Sequence, residues 1–131
     1  MNDAQQIFNK VARHLFEQGS PAKYTNSEDE EHCMYRAPDG RKCAVGCLLP
    51  DGLYQQDMED NSIETLLLDN DRWGLPQWME ANQLLLQDLQ CVHDQDINWG
   101  DSNTMREALR EVAHKHGLST IVLAGLGFSD R

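Results

Sequence analysis

The sequence predicts an α+β fold, in which one helix-dominated domain carries about four helices and one β-hairpin. Several segments repeat apolar residues with the 3.6-residue period of an amphipathic helix. A Pro-Asp-Gly sequence separates two short runs near residue 40, which is typical of a hairpin. The elements do not alternate as strand–helix–strand units, so a doubly wound α/β fold is not expected. The 131 residues fit one domain.

The first predicted helix covers residues 3–18. Gly19 and Pro21 end it, because glycine accepts the left-handed cap conformation and proline cannot continue a helix. Residues 20–32 are polar, and the acidic run at 28–31 predicts an exposed loop. The apolar residues of the helix fall on one face: Ile7, Phe8, Val11, Ala12, Leu15 and Phe16.

The predicted hairpin covers residues 33–45, CMYRAPDGRKCAV. Pro38 suits the second position of a β-turn because its φ is already fixed, and Gly40 accepts a positive φ. A second turn follows at Pro50-Asp51-Gly52. The sequence therefore places two short strands on either side of residues 37–40.

Two more helices are predicted in the middle of the chain. Ser62 caps a short helix over residues 63–68, which the sequence DNDRWGLP then breaks. Pro76 opens a long helix at its first position and carries it to residue 94. The predicted buried stripe of that helix is Trp78, Ala81, Leu84, Leu85, Leu89, Cys91 and Val92.

The last predicted helix begins at Asp101 or Ser102 and reaches about His116, and Gly117 ends it. Residues 1–117 form the predicted globular domain. Residues 118–131 are an apolar, glycine-containing tail whose order the sequence does not fix.

Charge limits the classes of partner. The formal net charge is −11, and residues 28–101 hold 17 acidic and 4 basic side chains, a net of −13. This field repels phosphate backbones, so direct nucleic-acid binding is not expected, and the charge suits a basic protein partner or the mimicry of a nucleic acid. The alternative is an acidic surface that only aids solubility. A partner surface would include Glu28, Asp29, Glu30 and Glu31, with Trp73 and Trp99 either in the core or as aromatic anchors.

The sequence shows no pattern typical of a signal peptide or of a transmembrane helix. The N-terminus has neither a basic start nor an apolar run, and no apolar segment reaches the ~18 residues of a membrane helix. We therefore expect a cytoplasmic protein, in which the four cysteines are reduced thiols.

The cysteines and histidines suggest candidate chemistry. His32, Cys33, Cys43 and Cys47 are zinc-ligand types, but only the last two have a suitable spacing, so neither a metal nor another cofactor is expected. Cys43 beside Lys42 could be a nucleophile if His93 served as its base. The pair His93-Asp94 is also typical of HD-type metal hydrolases, yet the further ligands of such a site have no counterpart in this pattern.

Two motifs together resemble a known group. The first, CMYRAPDGRKCAVGCLLPDGLY at 33–54, and the second, LQCVHD at 89–94, are similar to motifs of small, functionally undefined proteins encoded by bacteriophages, prophages and some bacterial genomes. The likeness covers roughly residues 30–117. It implies a phage-like context but does not indicate which activity the protein has. The position of Cys47 is variable in that group. The matching residues are Cys33, Tyr35, Arg36, Gly40, Cys43, Ala44, Gly46, Leu48, Pro50, Asp51, Tyr54, Leu89, Gln90, His93 and Asp94.

The two motifs predict a contact between the hairpin and the long helix. Arg36 and Asp94 are expected to form an ion pair there, with Gly46 allowing close approach of two backbone segments. The residues of this cluster, which either latches the fold or lines a ligand pocket, are Tyr35, Arg36, Cys43, His93 and Asp94. The favoured function is a non-enzymatic, acidic, phage-type protein that binds and modulates a host protein. The alternative is a small enzyme or ligand-binding domain that uses the cluster. The partner and the oligomeric state stay open.

Overall fold

The computed structural model describes residues 3–25, 27–28 and 31–128. Within them the chain forms six α-helices and one two-stranded antiparallel sheet, which confirms a helix-dominated α+β fold. None of the described helices has the length and hydropathy needed to cross a bilayer. The helices are α1 (Ala4–Gln18), α2 (Ile63–Leu68), α3 (Asn70–Trp73), α4 (Gln77–Ala81), α5 (Gln83–Asp94) and α6 (Ser102–Lys115).

Helix α1 forms as predicted. Asp3 caps it by accepting from the main-chain N–H of Gln6, while the Gln6 side chain accepts in return from the N–H of Asp3. Gly19 closes its C-terminus with φ 74°. All six apolar residues of the predicted face are buried in the hydrophobic core.

The hairpin lies earlier in the chain than predicted. Its strands are β1 (Lys23–Thr25) and β2 (Glu31–Cys33), paired so that Tyr24 faces His32. They flank the predicted acidic loop, of which residues 27 and 28 form an exposed turn. Around residues 37–40 the turn does form, but only one bridge, between Arg36 and Lys42, follows from it. The reason is that the chain coils into a second turn directly after Lys42, with Cys47 N–H donating to Cys43 O, and leaves no extended partner.

The count of about four helices is wrong because the predicted long helix is broken and an extra helix precedes it. Asn82 interrupts it, since the Asn82 side-chain amide donates to Trp78 O at 2.8 Å and competes with the helical ladder. The segment predicted only as a breaker contains the single-turn helix α3, which Gly74 caps at φ 66°.

The break also changes which residues are buried. Ala81, Leu84 and Cys91 are exposed, contrary to the predicted stripe, and Leu84 keeps 69% of its surface in solvent. Met79 and Leu86 are fully buried in their place. The prediction assumed one continuous helical phase, whereas Asn82 resets the phase between α4 and α5.

Helix α6 and the tail complete the core. Asp101 caps α6 by accepting from Thr104 N–H, and Gly117 follows the helix with φ 67°. Beyond it a 3₁₀ helix, Ile121–Leu123, buries Leu123 to 1% exposure. The ring of Phe128 stacks on Trp99, with the ring centroids 5.9 Å apart. The described part of the tail, 118–128, therefore packs against the body of the fold.

Gly46 lies where two backbone segments touch. A Cβ atom at this position would stand 1.9 Å from the carbonyl oxygen of Tyr35. The N–H of Cys43 donates to that same oxygen at 3.2 Å, so the two segments are bonded as well as packed. Two backbone segments do approach closely at Gly46, but the partner is the Tyr35 segment of the same motif and not the predicted long helix. The contact fixes the Tyr35 segment against the 43–48 turn.

We predict that Gly46→Ala lowers the free energy of unfolding by at least about 3 kcal/mol, because a Cβ overlaps main-chain atoms that no rotamer change can relieve. Gly52→Ala is the matched control, since a Cβ there meets nothing within 4 Å. Urea unfolding of both variants measures the difference. Equal stability of the two would contradict the contact.

Candidate functional site

The candidate site is a cleft of about 450 Å³ between helix α5, the β2–Tyr35 segment and the chain that leads into α2. This volume falls in the range of small-ligand pockets. The cleft is open to solvent and has mostly apolar walls, with polar groups at a few points. The lining residues that matter below are Cys33, Tyr35, Cys43, Glu59, Gln90 and Asp94.

Glu59 holds one wall of the cleft in place. Its carboxylate accepts from the main-chain N–H groups of Tyr35 and Arg36, at 2.9 and 3.1 Å. It also accepts from the Tyr54 hydroxyl at 2.6 Å. The Tyr35 hydroxyl donates to Asn61 O at 2.5 Å. The two main-chain N–H groups and the Tyr54 hydroxyl satisfy the charge of Glu59. This residue therefore acts as a structural anchor rather than as a free anion.

His93 lies behind the cleft and is fully buried. The main-chain N–H of Ala22 points at its Nε2, 2.9 Å away, so this nitrogen must be the acceptor. Its Nδ1 therefore carries the proton and donates to Asp94 Oδ1 at 2.8 Å. The carbonyl of His93 accepts from the indole N–H of Trp99 at 2.8 Å. The imidazole thus orients Asp94 and is itself fixed on both sides.

Asp94 presents an anion to the cleft. Burial alone would raise the pKa of its carboxyl, but hydrogen bonds from His93, Gln90 and Cys33 hold that pKa below its usual value. The side chain is therefore ionised at neutral pH, and 42% of its surface is exposed. Gln90 and His93 both donate to Oδ1. Among the described residues, no lysine or arginine lines the cleft.

The Cys33 and Cys43 thiols of the cleft are held protonated, whereas Cys91, which also lines the cleft, is exposed. Burial, followed by the charge of Asp94, raises the pKa of Cys33 to about 12. Cys43 has no exposed surface, and burial raises the pKa of its thiol as well, although Gly46 N–H donates to its Sγ at 3.2 Å. His93 cannot serve as the base considered for Cys43, because both of its ring nitrogens are engaged by other groups.

A metal fits this geometry poorly. In the described part of the chain, one group of possible ligands comes together, Cys33, His93 and Asp94, with ligand atoms within 4.8 Å of one another. A cation there would need the nitrogen that donates to Asp94, while Ala22 keeps the other nitrogen as an acceptor. The donor set therefore favours hydrogen bonding between its members over metal ligation. The zinc set considered from sequence, with His32 and Cys47, is not the one assembled here.

The predicted ion pair between Arg36 and Asp94 is wrong. Arg36 pairs with Asp51 at 2.9 Å, donates to Leu49 O at 2.8 Å, and lies over the ring of Tyr54. Successive side chains of an extended segment point to opposite sides, so Tyr35 faces the cleft while Arg36 faces away from it. Of the five residues in the predicted cluster, the cleft brings together Tyr35, Cys43 and Asp94.

The other partner candidates divide by exposure. Trp73 and Trp99 are each 5% exposed and belong to the core, which leaves little of either for a partner. Glu28 and Glu31 are exposed, whereas Asp29 and Glu30 lie outside the described residues.

Sequence reasoning missed Glu59 and Ala22, because both act through contacts distant in the chain. Gln90 did stand in the quoted LQCVHD motif, and its spacing of four from Asp94 on a helix was the available signal.

No protein-family model, no curated protein and no solved structure matches the chain.

We predict that iodoacetamide at about pH 8 modifies Cys91 in the native protein well before Cys33, Cys43 or Cys47, because only thiolates react. Cys91 is exposed, while the pKa of Cys33 and of Cys47 is raised to about 12. Mass spectrometry of the native protein gives the order of modification. Unfolding without reductant should then make all four thiols reactive; early modification of Cys33, or a thiol that stays blocked, would contradict this account.

Proposed function

We propose that this chain is an acidic, non-enzymatic binding protein of phage or prophage type, and that its cleft receives a lysine or arginine side chain of a basic host protein. The observation that carries the proposal is Asp94, an ionised and part-exposed carboxylate in a cleft whose described lining contains no basic residue. An anion in such a place favours a cationic group from outside the chain.

The shape of the cleft supports an occupant with an apolar stem and a charged end. Its walls include the side chains of Met34, Tyr35 and Ile63, and its polar lining residues include Asp94 and Gln90. Lysine and arginine combine an aliphatic stem with a charged head in this way. The stem would cover apolar surface while the head donates hydrogen bonds to Asp94.

The surface around the cleft has the same sign of charge. The adjoining depression is lined by Asp57, Glu59 and Asp60, and it shares Met34, Glu59 and Asp60 with the cleft. Residues 28–101 carry a net charge of −13. A field of this kind steers a basic partner toward the cleft and fixes its orientation. Basic surfaces are common on proteins that handle nucleic acids, which makes such host proteins, including defence enzymes, the expected class of target in the host cytoplasm.

A second candidate function is a small-ligand-binding domain or a small enzyme. It is favoured by the fact that Tyr35, Cys43 and Asp94 do line one open cleft. Arg36 and His93 are missing from that lining, and the Cys33 and Cys43 thiols stay protonated, so the cleft lacks the His93 base and the Cys43 nucleophile considered from the sequence. Binding of a small cation through Asp94 is the part of this alternative that the geometry retains.

We predict that Asp94→Asn weakens binding of a lysine- and arginine-rich peptide by about tenfold or more, because a charge-assisted hydrogen bond contributes ~1.5–3 kcal/mol. Glu80→Gln, which removes the same charge from an exposed site on α4, is the matched control. Calorimetric titration at low and at high salt measures the affinity, and salt should weaken the native interaction. The capture of a host protein from lysate by the native chain and the control, but not by Asp94→Asn, is expected as well.

Two results would overturn the proposal. One is a peptide affinity that falls equally in Asp94→Asn and Glu80→Gln, since net charge rather than the cleft would then explain binding. The other is a small uncharged ligand that binds the cleft with no dependence on salt or on Asp94, which would favour the small-ligand function.

A further inference from the structure

The basic residues of this acidic protein are unevenly paired. Ten of its lysines and arginines are described, and six of these form an ion pair with a carboxylate. Of the other four, Arg106 donates to Asn103 and to Leu126 O. The remaining three, Lys10, Arg13 and Lys42, have no ion pair within the described chain, although acidic residues outnumber basic ones by 22 to 11.

These three cations line one surface depression. It has a volume of about 660 Å³ and lies between α1 and the 40–47 segment. Lys10, Arg13, His14 and Glu17 stand at positions i, i+3, i+4 and i+7 and so share one face of α1. Lys42 and Cys47 supply the opposite side. Three cations against one carboxylate make this an island of positive charge.

Hydrogen bonds between side chains of α1 and the main chain of Lys42 hold one side of the island in place. The Nε2 of His14 and the side-chain amide of Gln18 both donate to Lys42 O, at 2.8 and 2.9 Å. The N–H of Lys42 donates back to Gln18 Oε1 at 2.8 Å. These three bonds fix the Lys42 backbone against α1 while its ammonium group stays uncommitted. Burial raises the pKa of the Cys47 thiol to about 12, and the nearby positive charges of Lys10 and Lys42 oppose that rise.

We propose that Lys10, Arg13 and Lys42 form a binding site for a phosphate dianion, either free or as the terminal group of a small phosphorylated molecule. This site is separate from the cleft at Asp94 and goes beyond the protein-binding function.

Charge and size select this class of ligand. Three cations and one carboxylate leave an excess of two positive charges, which matches a dianion. Arginine is suited to phosphate because its guanidinium donates two parallel hydrogen bonds, and lysine adds a mobile point charge. The net charge of −11 repels an extended polyanion such as a nucleic acid. A single phosphate depends on short-range contacts, since charges beyond about 8 Å are screened in physiological salt. The depression has room for more than the phosphate itself.

The test is an NMR titration of the full chain with inorganic phosphate, using sodium chloride at matched ionic strength as the reference. We expect saturable shifts of the Lys42 and His14 signals with phosphate alone. Arg13→Gln and Lys42→Gln should each weaken binding by about tenfold, the loss of one charge-assisted contact. Lys115→Gln removes an equal charge from an exposed site elsewhere and should leave the affinity unchanged. Retained melting temperatures show that the variants fold, as expected because Lys42 is held by its backbone.

Two further ligands separate the sources of the phosphate. If 5′-AMP binds more tightly than phosphate and adenosine does not bind, the site takes a phosphorylated small molecule; if 5′-AMP binds no better than phosphate, the site takes the free ion. Shifts that chloride reproduces at equal ionic strength would overturn the proposal. So would an affinity that falls as much in Lys115→Gln as in Arg13→Gln.

Discussion

The rest of the structure depends on the two hydrogen bonds made by the buried imidazole of His93. It accepts from the main chain at Ala22, just after α1, and donates to Asp94 at the end of α5. The main-chain carbonyl of His93 accepts a hydrogen bond from the indole N–H of Trp99. A buried amide that lost its acceptor would cost ~1–3 kcal/mol. The need to satisfy Ala22 therefore decides which imidazole nitrogen carries the proton, and that proton in turn stabilises the Asp94 anion. One tautomer thus links the packing of the N-terminal segment to the charge in the cleft.

The same link explains why Asp94 does not take Arg36, its predicted partner. An anion at a helix C-terminus is opposed by the helix dipole and needs compensation. Three neutral donors, His93, Gln90 and Cys33, supply it without a guanidinium. Arg36 meets its own need with Asp51 and the face of Tyr54. Because no lysine or arginine among the described residues pairs with Asp94, its charge remains available to a group from outside.

The elements that sequence reasoning predicted correctly are those with local causes. Helix α1, helix α2 with its Ser62 cap, and helix α6 with its Asp101 cap follow from periodicity and capping within a few residues. The hairpin was misplaced because turn residues are visible in a sequence, whereas a strand also needs an extended partner. The break at Asn82 depends on one side-chain bond to the backbone. A single-sequence pattern contains no signal for either.

The site was predictable to a similar extent. The motifs pointed to Tyr35, Cys43 and Asp94, which do share a cleft. Glu59 and Ala22 were missed because their roles arise from contacts across 24 and 71 positions of the chain. The segment after the turn serves two surfaces, since Cys43 lines the acidic cleft while Lys42 and Cys47 line the basic depression. Acidic and basic sites therefore share one rigid element, which Gly46 holds against Tyr35.

The most direct test of the account is the protonation of the His93 ring in the folded protein, measured by nitrogen-15 NMR of the imidazole. We predict that Nδ1 carries the proton, that Nε2 is an unprotonated acceptor coupled to the Ala22 amide, and that the Ala22 amide exchanges slowly with solvent. The exposed ring of His114 provides an internal reference. A proton on Nε2, or rapid exchange at Ala22, would contradict the account.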